Sequence, residues 1–196
     1  MSWWMRRAPP RVERNTKETR IASRSISTAR PTRGAHGLGF FDHMLEQLGK
    51  HGGFALRLRC DGDLHIDEHH TVEDCALALG QALRRRWATS AASAATASRR
   101  AADGRGAGER DAGLVRAVRT SCSTARSRAS EVGDLPTELV PHFFRSLCET
   151  AGLNLHLAVR GDNDHHQVEA CFKAVARALR QAIKREGALP STKGVL

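Results

Sequence analysis

Two stretches of this chain carry nearly the same chemistry. His69-His70-Thr71-Val72-Glu73 and His165-His166-Gln167-Val168-Glu169 share a His-His-x-Val-Glu pattern. Each is preceded by acid (Asp67-Glu68, then Asp162-Asn163-Asp164) and each runs into an Ala-rich apolar stretch. Neutral imidazole and carboxylate are the ligands that borderline divalent transition metals prefer. On a helix, positions i and i+4 lie on one face while i+1 is turned about 100° away. His69 and Glu73 can therefore share a face, as can His165 and Glu169, with His70 and His166 pointing elsewhere. Each motif suits two metal ions, or one metal and a neighbour. The plain alternative is a polar helix start with solvated histidines. Recurrence of the doublet with Glu at the same offset argues against it.

The elements that must position these groups also repeat. Gly39-Phe-Phe-Asp-His-Met-Leu-Glu-Gln-Leu48 reads as a helix closed by Gly52-Gly53. Phe54 to Cys60 alternates apolar and polar, as a strand does. Asp61-Gly62-Asp63, the first His pair and a helix from about Thr71 to Arg86 follow. In the second half, Pro136 to Leu147 reads as a helix closed near Gly152, and Leu153 to Val159 as a strand. Arg160-Gly-Asp-Asn-Asp164, the second His pair and a helix to about Lys184 complete it. Each half adds a histidine beside a Phe pair: Phe40-Phe41-Asp42-His43 and His142-Phe143-Phe144. A lone His on an apolar helix is commonly a core residue, but its recurrence in both halves favours a ligand. The tally is six histidines and two glutamates. Divided evenly, that makes two sites of three imidazoles and one carboxylate, with positions left open for water or substrate, as in a catalytic centre. His65 reads as a supporting or structural residue, and His36, His51 and His156 as surface.

The totals set bounds. At 196 residues the chain is one compact domain or two small halves sharing a core. A net charge of +10 and a pI near 10.4 raise nucleic acid as a partner. Three Trp, six Phe and no Tyr leave few platforms for stacking bases. No apolar run approaches the roughly 20 residues of a membrane span, and Met1 to Arg7 is not followed by the apolar core of a signal peptide. Five cysteines without CxxC spacing read as reduced thiols, with Cys75, Cys148 and Cys171 packed on helices. These features predict a cytoplasmic protein that binds neither nucleic acid nor membrane.

At these residues the chain resembles the imidazoleglycerol-phosphate dehydratases. The matching stretches are Arg14 to Thr19, Gly37 to Leu45, Asp67 to Asp74, Asp134 to Phe144, Gly161 to Lys173 and Pro190 to Leu196. The resemblance implies an α+β fold of duplicated α/β half-domains, like the second domain of ribosomal protein S5, with two sheets packed against helices in a pseudo-twofold repeat. The matching stretches cover roughly two-thirds of the chain, and the resemblance implies that residues 1–196 form a single domain, with halves at about 11–110 and 111–196. It implies a metal-dependent hydro-lyase of histidine biosynthesis with two Mn2+ per active site. It also implies a large homo-oligomer of about 24 copies with sites at subunit contacts. The reaction is loss of water from imidazole glycerol phosphate, a small phosphorylated imidazole, to give imidazole acetol phosphate. The proton removed sits on carbon with no adjacent carbonyl. A metal-bound imidazolate lets the ring's electrons expel the hydroxyl. By the same resemblance His69, His142, His165 and Glu169 hold one manganese, and His43, His70, Glu73 and His166 the other. Glu18 is the acid–base residue. Lys173 contacts substrate, and Ser191 and Lys193 grip its phosphate. No second enzymatic domain is expected in the chain.

Two segments depart from the family's text. Ser23 to His36 and Trp87 to about Arg128 show no strand alternation and no helical period. Moving each codon boundary back one base lets Trp87 to Ala97 spell Leu-Gly-Asp-Lys-Arg-Gly-Ile-Arg-Arg-Tyr-Gly. The same shift recovers strand-like text from Val118 to Arg126 and from Ser23 onward. A slipped reading frame over 23–36 and 87–128 explains the surplus arginine and the missing Tyr. No substrate role is assigned to Arg85, Arg86, Arg99, Arg116 or Arg119. As written, the chain is expected to lack core strands there and to be inactive or unstable. The competing reading is a metal-binding oligomer without chemistry. Glu18 and the Ser191-Thr192-Lys193 tail separate the two, since storage needs neither.

Overall fold

The computed structural model describes residues 11–27, 36–87, 96–100, 111–115, 120–124 and 129–182. Strands β1 (Arg11–Asn15), β2 (Thr19–Ser27) and β3 (Ala55–Gly62) form an antiparallel sheet in that order. A second sheet has the order β4-β5-β9-β6, built from β4 (Thr96–Arg100), β5 (Asp111–Val115), β6 (Thr120–Thr124) and β9 (Asn154–Val159). Within it β6 runs parallel to β9 and the other pairs are antiparallel. A short hairpin, β7 (Glu131–Val132) and β8 (Leu135–Pro136), precedes the second half's helices. The helices are α1 (Gly39–Gly52), α2 (His69–Trp87), α3 (Leu139–Ala151) and α4 (Asp164–Ala182).

The repeat read from the sequence is present as α1-β3-α2 and α3-β9-α4. Both first helices end alike. Gly53 and Gly152 take the left-handed conformation (φ 70° each), which costs glycine least. The next amides, of Phe54 and Leu153, donate back to Gly49 O at 3.1 Å and Cys148 O at 2.9 Å. Counting back from these glycines, His43 and His142 each stand ten residues earlier, so they occupy equivalent positions. Strands β3 and β9 alternate as expected: Leu56, Leu58 and Cys60 face inward, as do Leu155, Leu157 and Val159. This pattern suits a sheet covered by helices on one face.

The helices pair across the halves, α2 with α3 and α1 with α4. Helix α2 also lies on the first sheet, and α3 and α4 lie on the second. The buried apolar side chains of both halves accordingly form one cluster among the described residues, with Phe41, Phe143, Phe144 and Phe172 at its centre. Cys75, Cys148 and Cys171 are buried on helices as predicted, and Cys60 is buried on β3. Burial pushes the Cys75 thiol well above its ordinary pKa.

Four expectations are corrected. Helix α2 starts at His69, not Thr71, and α3 at Leu139, because Leu135 and Pro136 belong to β8. His36 is buried rather than at the surface. Its Nδ1 pairs with Asp42 Oδ1, and its ring meets the Phe41 ring edge-on at 5.8 Å. The text suspected of a slipped frame does contain strands: the end of β2, then β4, β5 and β6. Sheet ladders are made by backbone groups, so well-patterned β3 and β9 can pair with neighbours whose text has no alternation. The β2–β3 register shifts between Ser23 and Ile26, where the family-like text ends.

Candidate metal centre

Polar residues ahead of each His pair start the helices. Asp67 Oδ1 accepts the His69 amide at 2.8 Å, and Asn163 Oδ1 accepts that of His166 at 3.0 Å. Both satisfy amides that the first helical turn leaves unpaired. Each histidine pair is thereby fixed to the first turn of its helix. Helix α1 is started from the other half: Asp134 accepts the amides of Gly39 and, at 2.9 Å, Phe40.

Cross-half helix pairing then gathers the ligands. His69 and Glu73 on α2 meet His142 on α3, with one donor atom from each lying within 4.8 Å of the others. His142 Nε2 lies 3.3 Å from Glu73 Oε1, yet it is buried and makes no hydrogen bond. A buried imidazole nitrogen left without a hydrogen bond beside a carboxylate suits cation binding, and imidazole with carboxylate is a suitable donor set for divalent metal. The pseudo-twofold counterpart repeats the approach: His43 Nε2 on α1 lies 3.4 Å from Glu169 Oε1 on α4. Gln47 Nε2 stands 3.3 Å from that imidazole nitrogen and 3.5 Å from Glu169 Oε1. Lys173 Nζ is 3.2 Å from Glu169 Oε2, which puts a cation beside this half-site.

The remaining predicted residues surround these pairs. His70 Nδ1 donates to Asp63 Oδ2 at 2.9 Å, which fixes the ring and leaves Nε2 free to ligate. That hydrogen bond raises the His70 pKa against desolvation, and the charges of Asp63, Asp67 and Glu18 add to it. The same bond lowers the Asp63 carboxyl. Glu18 is exposed in the β1–β2 turn, close enough for its charge to act on His70. His165 packs against the Phe40 ring at 5.0 Å, and the His166 ring stands edge-on to the His165 ring at 5.7 Å. Among the described residues, neither histidine joins a group of three candidate ligands. Within one chain, Glu73 therefore lies with His69 and His142, and Glu169 with His43. Ser191 and Lys193 lie outside the described residues. The sequence reading missed Asp63, Gln47 and Asp74. Gln47 stands one helical turn after His43, a spacing that could have revealed it. Asp74 acts through contacts distant in sequence, and Asp63 across the loop that leads into α2.

The family model for imidazoleglycerol-phosphate dehydratase matches residues 36–179, a span holding both His-His blocks, His43 and His142. This chain belongs to the imidazoleglycerol-phosphate dehydratase family. The histidine biosynthesis bifunctional protein HisB of Xanthomonas euvesicatoria pv. vesicatoria (strain 85-10) is 53% identical over 203 residues, covering 94% of this chain and 54% of that protein. The HisB protein of Xanthomonas oryzae pv. oryzae (strain PXO99A) is 52% identical with the same coverage. The chain thus spans about half the length of the curated relatives it matches. Two crystal structures share the fold. The dehydratase of Staphylococcus aureus subsp. aureus N315 aligns with a TM-score of 0.76 and 28% identity, over 90% of this chain and 98% of that one. That of Pyrococcus furiosus gives 0.78 and 26%, over 94% and 100%.

Proposed function

We propose that this chain dehydrates imidazole glycerol phosphate to imidazole acetol phosphate in histidine biosynthesis, as a cytoplasmic, manganese-dependent hydro-lyase. Family membership supports the reaction. The observation that carries the metal is the buried His142 Nε2, which lies with His69 and Glu73 and makes no hydrogen bond. Described helices long and apolar enough to cross a membrane are absent.

The family's ligand partition draws evenly on two clusters. One ion would take His69 and His142 from the α2/α3 cluster, with His165 and Glu169 from the α1/α4 cluster. The other would take His70 and Glu73 from the first, with His43 and His166 from the second. We assign the pairing of the two clusters to neighbouring copies in a large homo-oligomer. When bound, the ions supply Lewis acidity toward the substrate's imidazole and a template for it. Asp63 holds the His70 ring in one tautomer. Glu18 moves the proton between substrate carbon and the leaving hydroxyl. Lys173, Ser191 and Lys193 bind the substrate, the last two at its phosphate. The slipped-frame reading of 23–36 and 87–128 belongs to the proposal: the metal and acid–base groups are present, and frame restoration supplies the arginines that complete the substrate pocket.

The test measures turnover and bound Mn2+ on the frame-restored chain. Chelation should abolish activity and Mn2+ should restore it. Glu18→Gln should lower kcat by about 10²–10⁴-fold, the usual worth of a general acid–base residue, with bound Mn2+ unchanged. Full turnover after exhaustive chelation, or in Glu18→Gln, refutes the mechanism. A metal-storage protein would hold Mn2+ and turn over nothing.

A further inference from the structure

Asp74 follows Glu73 on α2 and is nearly buried, with 6% of its surface exposed. An unpaired carboxylate there would be costly, and both of its oxygens are engaged. Oδ1 accepts from Arg14 Nε on β1 at 2.9 Å. Oδ2 accepts from the hydroxyl of Thr19, the first residue of β2. These two partners flank the turn that carries Glu18. Inside the turn, Thr16 Oγ1 accepts the amides of Glu18 (3.2 Å) and Thr19 (2.9 Å), and Thr16 N donates to Thr19 O at 2.9 Å. The two threonine hydroxyls lie 3.1 Å apart. A chain of hydrogen bonds therefore runs from the Glu18 amide through Thr16 and Thr19 to Asp74, and so to the first two turns of the helix bearing His69, His70 and Glu73.

We propose that Asp74 is a positioning residue, whose two oxygens tie the Glu18 turn to the metal-ligand helix so that acid–base group and ligands hold one relative geometry. The role needs a carboxylate. One oxygen must face a guanidinium and the other a hydroxyl, and both bonds are strengthened by charge. The tie rests on the dehydratase reading for its purpose but not for its existence. Ordering the start of α2 by metal must also order the turn, because the link between them, Thr19 to Asp74, is buried and both Asp74 oxygens are bonded.

The experiment follows amide hydrogen exchange of Glu18 and Thr19 in the full chain, with and without Mn2+, beside a Mn2+ titration. Mn2+ should slow exchange at both amides by roughly tenfold or more in the parent chain, since local opening is coupled to the ligand helix. Thr19→Ser keeps the hydroxyl and should keep the effect. Thr19→Val should bind Mn2+ within about twofold of the parent but lose the metal-linked protection, and Asp74→Asn should weaken it. In frame-restored enzyme, Thr19→Val should lower kcat by about 10²-fold, the scale of a 1 Å misplacement, with KM little changed. It should add nothing to Glu18→Gln. Metal-linked protection that survives in Thr19→Val, or that is absent from the parent, overturns the tie. So does a kcat loss that multiplies with that of Glu18→Gln. Failure of the dehydratase reading looks different: protection behaves as described while Glu18→Gln turns over normally.

Discussion

Gly80 offers the sharpest test of how the fold sets the metal geometry. It lies on α2, seven residues beyond Glu73, where α2 crosses α3. A Cβ built there would meet Leu147 O at 2.7 Å, Thr150 Cβ at 2.8 Å and Ala151 N at 3.1 Å. Two of these three atoms are backbone, so no rotamer change clears them. Ordinary contact begins at 3.4 Å, and 3.4 − 2.7 leaves the helices needing to part by 0.7 Å. Two effects oppose each other in Gly80→Ala. Alanine is favoured over glycine inside a helix by about 0.8–1 kcal/mol. Overpacking a well-filled interface costs about 1–3 kcal/mol. The obstacle is main chain, so the second effect wins, and a net loss of about 1–2 kcal/mol is expected.

The displacement matters more for function than the stability does. Metal–ligand distances tolerate about 0.2 Å, and α2 and α3 carry opposite sides of the His69–Glu73–His142 group. Gly80 is about 10 Å along the helix from Glu73, so part of the 0.7 Å is absorbed before it reaches the ligands. Mn2+ affinity should fall about tenfold, the low end for disturbed ligand support. Urea unfolding and a Mn2+ titration measure the two effects. Gly152→Ala is the control: φ is +70° there, with nothing within 4 Å of the added carbon. It should lose about 1 kcal/mol through left-handed strain and leave Mn2+ binding unchanged. A Gly80→Ala protein that gains the full helix propensity and binds Mn2+ as before would refute a rigid α2–α3 pair.

Two other outcomes follow from the site and the text. In metal-free protein, the His70–Asp63 pair should stabilise the fold between two limits. It is lost as pH rises through His70's raised pKa, above the ordinary 6.5, and as pH falls through Asp63's lowered pKa, below 3.8. In Asp63→Asn, the His70 titration followed by NMR should move back toward 6.5, and Mn2+ should bind at lower pH because less proton competes; an unmoved titration refutes the pairing. Replacing residues 87–97 by Leu-Gly-Asp-Lys-Arg-Gly-Ile-Arg-Arg-Tyr-Gly, with the other slipped segments restored likewise, should raise both thermal stability and kcat/KM; equal values for the two forms would show that the written text is functional as it stands.

What the sequence disclosed was what neighbours along the chain decide. The period of 3.6 placed α1, α2, α3 and α4, the period of 2 placed β3 and β9, and the left-handed glycines closed both first helices. The paired His-His-x-Val-Glu blocks pointed to ligands because their spacing is local. His36 was misplaced because its burial depends on Asp42 and Phe41 folding back over it. Asp63, Asp74 and Asp134 were unread as support for the site because each acts on a residue of another element. Asp134 reaches 95 positions back to Gly39. Strands β4, β5 and β6 were invisible because backbone pairing, not alternation in their own text, holds them.

The cross-half pairing gives the duplication a mechanical reason. A single half contains His43 or His142 on its first helix, and a His-His-x-Val-Glu block on its second. In the folded chain these two helices are not each other's partners. His142 meets the block of the first half, and His43 meets Glu169 of the second. Each half sets a histidine and a glutamate four residues apart on its second helix, but the imidazole of His142 joins Glu73, and that of His43 joins Glu169, only when both halves close on the shared core. Asp134 strengthens the dependence, because the second half's hairpin starts the helix that presents His43. Metal affinity should therefore report the docking of the halves as directly as it reports the ligands themselves. The 3.3 Å and 3.4 Å approaches of His142 to Glu73 and His43 to Glu169 are where that coupling is made.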